Sequence, residues 1–295
     1  MAQDFQDMHS LAKTAGGTLS KQQHQLTVGE LERRMLARFP KEQAESWDRT
    51  GLLAGDPTRP VAGVAVALDA TLHALDVAQA AGANVLLTHH PAFLEVPGAF
   101  RAQPAGADVS GTVVYRAIER GIALINFHTA FDVSVEAQAV LPELLGLDQV
   151  GILERVGEGV LGYGQVCALR EDERGMTLGQ LAARCTSVFG RAPRVWGPLD
   201  QRLESIVCSN GAASSFTGAC IEAGASCLVC GEVKYHSALD AMQAGLCIID
   251  LGHDVSELPY VPVLARCVAE CGIDPESITM IEQSSHWTTP EAIRV

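Results

Sequence analysis

GVAVALDATLHALDVAQAAGANVLLTHH, residues 63–90, decides how this chain folds. It begins inside an apolar run of strand length, VAGVAVALD at 61–69, passes through a helical pattern at 71–81, and ends in a second strand at 84–88. A further helix at 110–120 and strand at 122–127 continue the alternation. Strands alternating with helices of this length imply a mainly parallel sheet, and hence an α/β fold.

The pattern then returns. Residues 63–90 align without gaps on SIVCSNGAASSFTGACIEAGASCLVCGE at 205–232, apolar position on apolar position, with AGA before the next strand in both. The register continues from 117–134 to 238–256 with a small indel, and Asp-Val-Ser recurs. Any two strand–helix–strand units share apolar periodicity, but not these small-residue and polar identities. The chain therefore reads as a duplicated unit forming two related α/β lobes.

Outward from the repeat, Thr27-Val28-Gly29-Glu30 has capping-box spacing ahead of Leu31, Met35, Leu36 and Phe39, with a stop at Pro40. The residues before it are polar and aperiodic, so 1–26 is expected to be a disordered tail. Trp47-Asp48 to Gly55 reads as a loop. The second series comprises strand 165–170, helix 177–189, strand 204–208, helix 214–223, strand 226–230, helix 235–244 and strand 246–250, before a last helix at about 256–269.

Composition narrows the classes. With 35 acidic against 21 basic residues the net charge is −14, which disfavours general affinity for nucleic acid or anionic lipid. No apolar stretch is long enough to span a membrane, and the N-terminus lacks an apolar secretion core. Nine cysteines without an export signal point to reduced thiols in a cytoplasm. Cys227 and Cys230 sit at odd separation in a strand and so face opposite ways, and Cys267 and Cys271 read as helix core rather than a zinc site.

Four strand-like runs end in metal-ligand chemistry: VLLTHHP (85–91), LINFHTAFD (124–132), LVCGEVKYH (228–236) and IIDLGHDVSE (248–257). Ligands bind open α/β sheets beyond the carboxyl ends of the strands, so these endings can converge on one crevice. Adjacent histidines such as His89 and His90 can share a cluster only where the strand stops, and Pro91 supplies that stop. His128 with Asp132 could instead be a loop contact through Thr129, and Gly252-His253 a helix start capped by Ser256. Their co-occurrence favours two metal ions. Imidazole with carboxylate and no thiolate suits Zn, Mn, Fe, Ni or Co, with a carboxylate bridging the ions and a shared water as nucleophile. No side chain stands out as catalytic, and no P-loop, nucleophile elbow or H-E-x-x-H helix is present.

In SWDRTGLLAGD (46–56), VALD (66–69), LLTHHP (86–91), FHTAFD (127–132), CGEVKYH (230–236) and DLGHDVSE (250–257), the sequence resembles the Nif-three-like dinuclear metal centre proteins, often labelled type 2 GTP cyclohydrolase I homologues. The resemblance runs from about Thr27 to the end. It implies that His89, His90, Asp132, His253 and Glu257 bind two divalent metals, with His128 as a further ligand or bracing side chain. It also implies a metal-binding lobe built from 27–135 and 246–295, a second lobe at 136–245, and a toroidal homohexamer. A metal-dependent hydrolase of a small nucleotide or heterocyclic substrate follows, or alternatively a non-catalytic hexamer for metal storage, delivery or partner binding. Asp254 replaces the family's usual aromatic and Ala130 its usual Asn; neither removes a ligand.

Glu232, Lys234, Tyr235 and His236 end the strand aligned with the one bearing His89 and His90. They are candidates to brace ligands or grip substrate, although Lys234 to His236 could simply open the next helix. Asp69 ends the first strand, where capping of helix 71–81 is the default role and orientation of a metal histidine the alternative.

Overall fold

The structure, a computed structural model, describes residues 25–104, 109–157 and 159–282. The expected tail lies almost wholly outside them. The helix at the start of the described residues opens as the sequence predicts: Thr27 caps helix Val28–Arg38 in a complete capping box with Glu30. One buried stripe of that helix, Val28, Leu31 and Met35 with Phe39 beyond it, packs into the same core as Tyr260 and Leu264.

Two sheets carry the fold. The first runs β1 (Gly51–Ala54), β4 (Ala123–Asn126), β3 (Val85–Thr88), β2 (Val64–Ala67) and β11 (Ile278–Met280), parallel except at the β1 edge. The second runs β5 (Asp148–Arg155), β6 (Gly162–Ala168), β8 (Ser205–Ala212), β9 (Cys227–Glu232), β10 (Cys247–Asp250) and β7 (Arg194–Trp196). Its centre, β8 to β10, is parallel, and its flanks are antiparallel. Both central sets are unbroken apolar runs because each face is covered: Val64, Val66, Val85 and Leu87 enter one core, Ala65, Ala67 and Leu86 another.

The two lobes share pairing register as well as pattern. Val64 faces Val85, and Ile206 faces Cys227, which are the aligned residues of the second copy. Val85 faces Ala123 as Cys227 faces Cys247. Even a loop bond repeats: the Asn84 carboxamide accepts from the Ala62 amide at 2.7 Å, and the aligned Ser226 hydroxyl accepts from Glu204 at 3.0 Å.

Several elements depart from expectation. The loop from Trp47 to Gly55 contains edge strand β1, and β5, β7 and β11 had no sequence signal. Strand β10, which begins the stretch from 246 expected in the metal-binding lobe, pairs with β9 and β7 in the second sheet, whereas helix Tyr260–Glu270 packs into the core under the first sheet and β11 pairs in that sheet. The last helix is two helices, His253–Glu257 and Tyr260–Glu270, separated at Leu258-Pro259, where proline lacks the amide that would continue the ladder. Ser256 is thus not a cap. Inside the short helix, its hydroxyl accepts from the Gly211 amide at 2.9 Å and donates to His253 O at 2.9 Å.

All nine cysteines are buried and free. As their odd spacing predicts, Cys227 and Cys230 enter different cores on the two faces of the second sheet. Burial, with nearby thiols and carboxylates, pushes both well above the usual thiol range. They are core side chains.

Candidate metal centre

The carboxyl ends of the two parallel strand sets face one another. β3 stops at Thr88, whose hydroxyl donates to the His90 carbonyl at 2.6 Å and holds the turn that lets His89 and His90 point into one cluster, their ring centroids 4.8 Å apart. β4 delivers His128, and helix Thr129–Asp132 delivers Asp132. From the other sheet, β10 leads into helix His253–Glu257, where i, i+4 spacing puts both side chains on one face. The His90 and His253 rings lie 5.3 Å apart, and those of His89 and His128 5.2 Å apart.

Three overlapping donor sets result. His90, His253 and Glu257 form one, His89, Asp132 and Glu257 a second, and His89, His90 and His128 a third, the donor atoms in each lying within 4.8 Å of one another. Glu257 belongs to two of them. Its Oε2 sits 3.0 Å from His90 Nε2 and 3.1 Å from His253 Nε2, while Oε1 is 3.8 Å from His89 Nε2. Asp132 is 3.5 Å from the same His89 nitrogen. Yet Glu257 Oε2 and His89 Nε2, both buried, have no partner in hydrogen-bond geometry. Buried polar atoms are rarely left so, and imidazole and carboxylate donors converging without hydrogen bonding is the arrangement a borderline divalent cation takes. The residues present fit such ions.

Behind each imidazole stands an acceptor. His89 Nδ1 is 3.0 Å from the Phe127 carbonyl, His90 Nδ1 2.7 Å from Asp69, His128 Nδ1 3.0 Å from Asp48, and His253 Nδ1 3.1 Å from Glu232. Each acceptor places a hydrogen on Nδ1 and turns Nε2 toward the centre, the support that metal-binding histidines characteristically have. Asp69 therefore braces a histidine instead of capping, because Thr71 caps the helix that follows. Thr129 is drawn away from Asp132: its hydroxyl and amide both bond Asp48, at 2.6 and 3.0 Å.

Electrostatics follow from this crowding. Against the cost of burial, His128 and Thr129 hold Asp48 well below the usual carboxylate range. Burial opposes charge on His90, but Asp69 and Glu257 push it up to about 10. Contact with Glu257, opposed by burial, pushes His253 up to about 9. Glu257 is itself held far down, its burial outweighed by the surrounding imidazoles, whereas burial raises Asp132. Tyr260, 2% exposed and with its ring 5.0 Å from that of His89, stays protonated through burial and the nearby Asp132 and Glu257 charges.

Of the remaining candidates, Glu232 joins the cluster through His253. Lys234 is the N-cap of helix Tyr235–Gln243, which Tyr235 and His236 open; Tyr235 is exposed and edges against Trp196 at 5.6 Å. These three stand apart from the donor sets. Asp254 is held by Arg191 at 2.8 and 3.2 Å. Sequence reading missed Asp48 and Tyr260. Asp48 lay inside a resembling motif, but nothing about its spacing linked it to His128, 80 residues away. The cluster opens on one side to a cavity of about 470 Å3, bounded by His128, Asp132 and Glu257 and by β6 and β8, and on another to a cavity of about 610 Å3 reached past Asp69 and Glu232.

Fold and site together define a class: two-lobed α/β proteins with a histidine–carboxylate cluster where the strand ends of the lobes meet. Within that class the chain belongs to the family described as Duf34/NIF3 (NGG1p interacting factor 3), whose model matches residues 26–285. A Clostridium acetobutylicum relative called a GTP cyclohydrolase 1 type 2 homolog is 28% identical over 231 residues, covering 77% of this chain and 84% of its own. The Helicobacter pylori protein called GTP cyclohydrolase 1 type 2 is 27% identical over 230 residues, covering 77% and 85%. A Staphylococcus aureus hypothetical protein of known structure superposes with TM-score 0.79 at 23% identity over 90% of this chain and 99% of its own. A Bacillus cereus protein related to NIF3 gives 0.77 at 21% over 88% and 97%. At such identities the structures speak for the fold. No helix among the described residues is long and apolar enough to cross a membrane.

Proposed function

We propose that the protein binds two divalent transition-metal ions and uses them to hydrolyse a small nucleotide or heterocyclic substrate. The observation that carries this is Glu257, a single buried carboxylate belonging to two donor sets. His90 and His253 would hold one ion and His89 and Asp132 the other, with Glu257 between them and His128 beside both. Zn, Mn, Fe, Ni and Co all suit these donors. When bound, such a pair supplies an activated water at near-neutral pH and polarises the scissile bond. The chain's own contribution is orientation: Asp48, Asp69, Glu232 and the Phe127 carbonyl fix the imidazoles. Side chains of both lobes line the cavity, and Tyr260 keeps a phenolic proton beside Asp132 and Glu257.

Relatives named for GTP cyclohydrolase 1 type 2 support a hydrolytic reading of the site. A second reading, metal storage or delivery by a ring of six subunits without turnover, has one observation in its favour. All four imidazoles and both carboxylates of the cluster are engaged as donors or with their braces, leaving none over as a free base. Elemental analysis should find close to two ions per chain, and a turnover panel of purine ring-opening, phosphodiester and amide substrates decides between the readings. Activity abolished by chelation and by Asp132→Ala supports hydrolysis. Metal transfer to an apo-acceptor with no turnover supports delivery.

A further inference from the structure

Tyr260 is buried against the centre yet belongs to no donor set. The break at Leu258-Pro259 ends one helix and Tyr260 opens the next, so Glu257 and Tyr260 both line the cavity beside Asp132. The phenol ring packs edge-on against His89 at 5.0 Å and against Phe131 at 4.9 Å. A phenylalanine would make those contacts equally well, whereas a buried phenolic oxygen needs a partner of its own. That partner is Asp132, to which the phenol donates. The two carboxylates of the cluster are also differently disposed. Glu257 turns Oε1 toward His89 and Oε2 toward His90 and His253, so its oxygens address two donor sets. Asp132 meets the cluster through Oδ1, 3.5 Å from His89 Nε2, and belongs to one set only.

We infer that Tyr260 is the positioning residue that keeps Asp132 on a single ion. A carboxylate has two oxygens and about four lone-pair sites, and left alone it is free to rotate and span two cations. An O–H donated to it takes up part of that capacity in a short, charge-assisted bond and fixes its rotation. Asp132 then serves as a terminal ligand beside His89, and Glu257 is the one carboxylate between the two positions. The role rests on the two-ion reading above and makes the two positions unequal in one respect. The ion beside His89 depends on the phenol, and the ion held by His90 and His253 does not. Groups that orient a ligand from behind are usually worth about 10–100-fold in metal affinity, which sets the size of the effect.

Cobalt titration of the full chain, followed by the visible absorption of the bound ion, tests this in two single-ion backgrounds. His253→Ala leaves the position beside His89 and Asp132, and Asp132→Ala leaves the position beside His90 and His253. Tyr260→Phe keeps the ring contacts and removes only the hydroxyl. Added to His253→Ala, it should weaken cobalt at least about tenfold and shift the absorption; added to Asp132→Ala, it should change neither. In the otherwise wild-type chain the same substitution should split the titration, one ion keeping its affinity and the other losing about tenfold, which serves if a double variant does not fold. Equal weakening in both backgrounds would make Tyr260 a packing residue only, and no weakening beside His89 would detach it from Asp132; either result overturns the proposal. A wild-type chain that takes up fewer than two cobalt ions removes the two-ion reading and this role with it, whereas two ions without the expected pattern remove the role of Tyr260 alone.

Discussion

Glu257 is where the site is most exposed to a single change. Its carboxylate serves two donor sets, whereas His128 joins one and Asp69 belongs to none, standing behind His90. Glu257→Ala should therefore cost more metal than His128→Ala, and Asp69→Ala should cost about 10–100-fold in affinity, as losing a brace behind a ligand usually does. Zinc titration of the three variants checks the order, and equal affinities for Glu257→Ala and His128→Ala would dissolve the bridging role. The same contacts set a pH dependence. In ion-free protein His90 and His253 titrate near 10 and 9, above the ordinary 6.5, so their stabilising effect is full below pH 6.5 and is lost as pH rises through those values. A cation must displace their protons, so its affinity moves the opposite way. It should climb with pH by up to about two decades per unit while two protons leave. Competition titrations at successive pH values, beside thermal melts of chelated protein, should show the opposing trends; a flat metal affinity would mean that these imidazoles are not ligands. The residues of the cluster were legible because His and carboxylate at strand ends are uncommon enough to notice. The bracing residues were not, since Asp48 and Glu232 act through contacts that only folding brings together.

Among elements, the end of β8 shows how closely the second lobe is fitted to the centre. Gly211 has φ +62°, and a Cβ there would stand 2.3 Å from Glu257 Oε1. Gly211→Ala should cost about 1–2 kcal/mol in backbone strain and push the carboxylate off both donor sets, weakening metal binding although every ligand remains. Thermal melts with and without zinc measure both effects, and unchanged metal affinity would show that the loop moves freely. The repeat itself was readable because buried parallel strands are apolar runs separated by helix-length patterns. The missed strands share a different physics. β1, β5 and β7 lie at or near sheet edges with half-exposed residues and form because a partner strand is present, and β11 is three residues long. The capping box at Thr27 was visible because it is wholly local; the break at Pro259 was obscured by apolar periodicity continuing across it.

At the scale of the molecule, the duplication explains why one chain holds a centre of this kind: each copy of the unit contributes strand ends, and turning the two sets toward each other brings His89, His90, His128 and Asp132 from one against His253 and Glu257 from the other. What the fold leaves on its surface points to assembly. Val96 and Phe100, in the long connection after His90 that the second copy lacks, are 63% and 51% exposed, with Leu94 at 42% beside them. Clustered large apolar side chains on one loop are costly for a monomer and ordinary at a subunit interface. The ring of six proposed above would satisfy this, since a closed ring gives every subunit the same contacts with none left open. Light scattering at micromolar concentration should accordingly return a mass near six times 31.3 kDa, and the double substitution Val96→Asp with Phe100→Asp should shift it toward smaller species while ions remain bound, because neither residue belongs to a donor set. A wild-type monomer would refute the ring, and a ring indifferent to both substitutions would move its interface away from this loop.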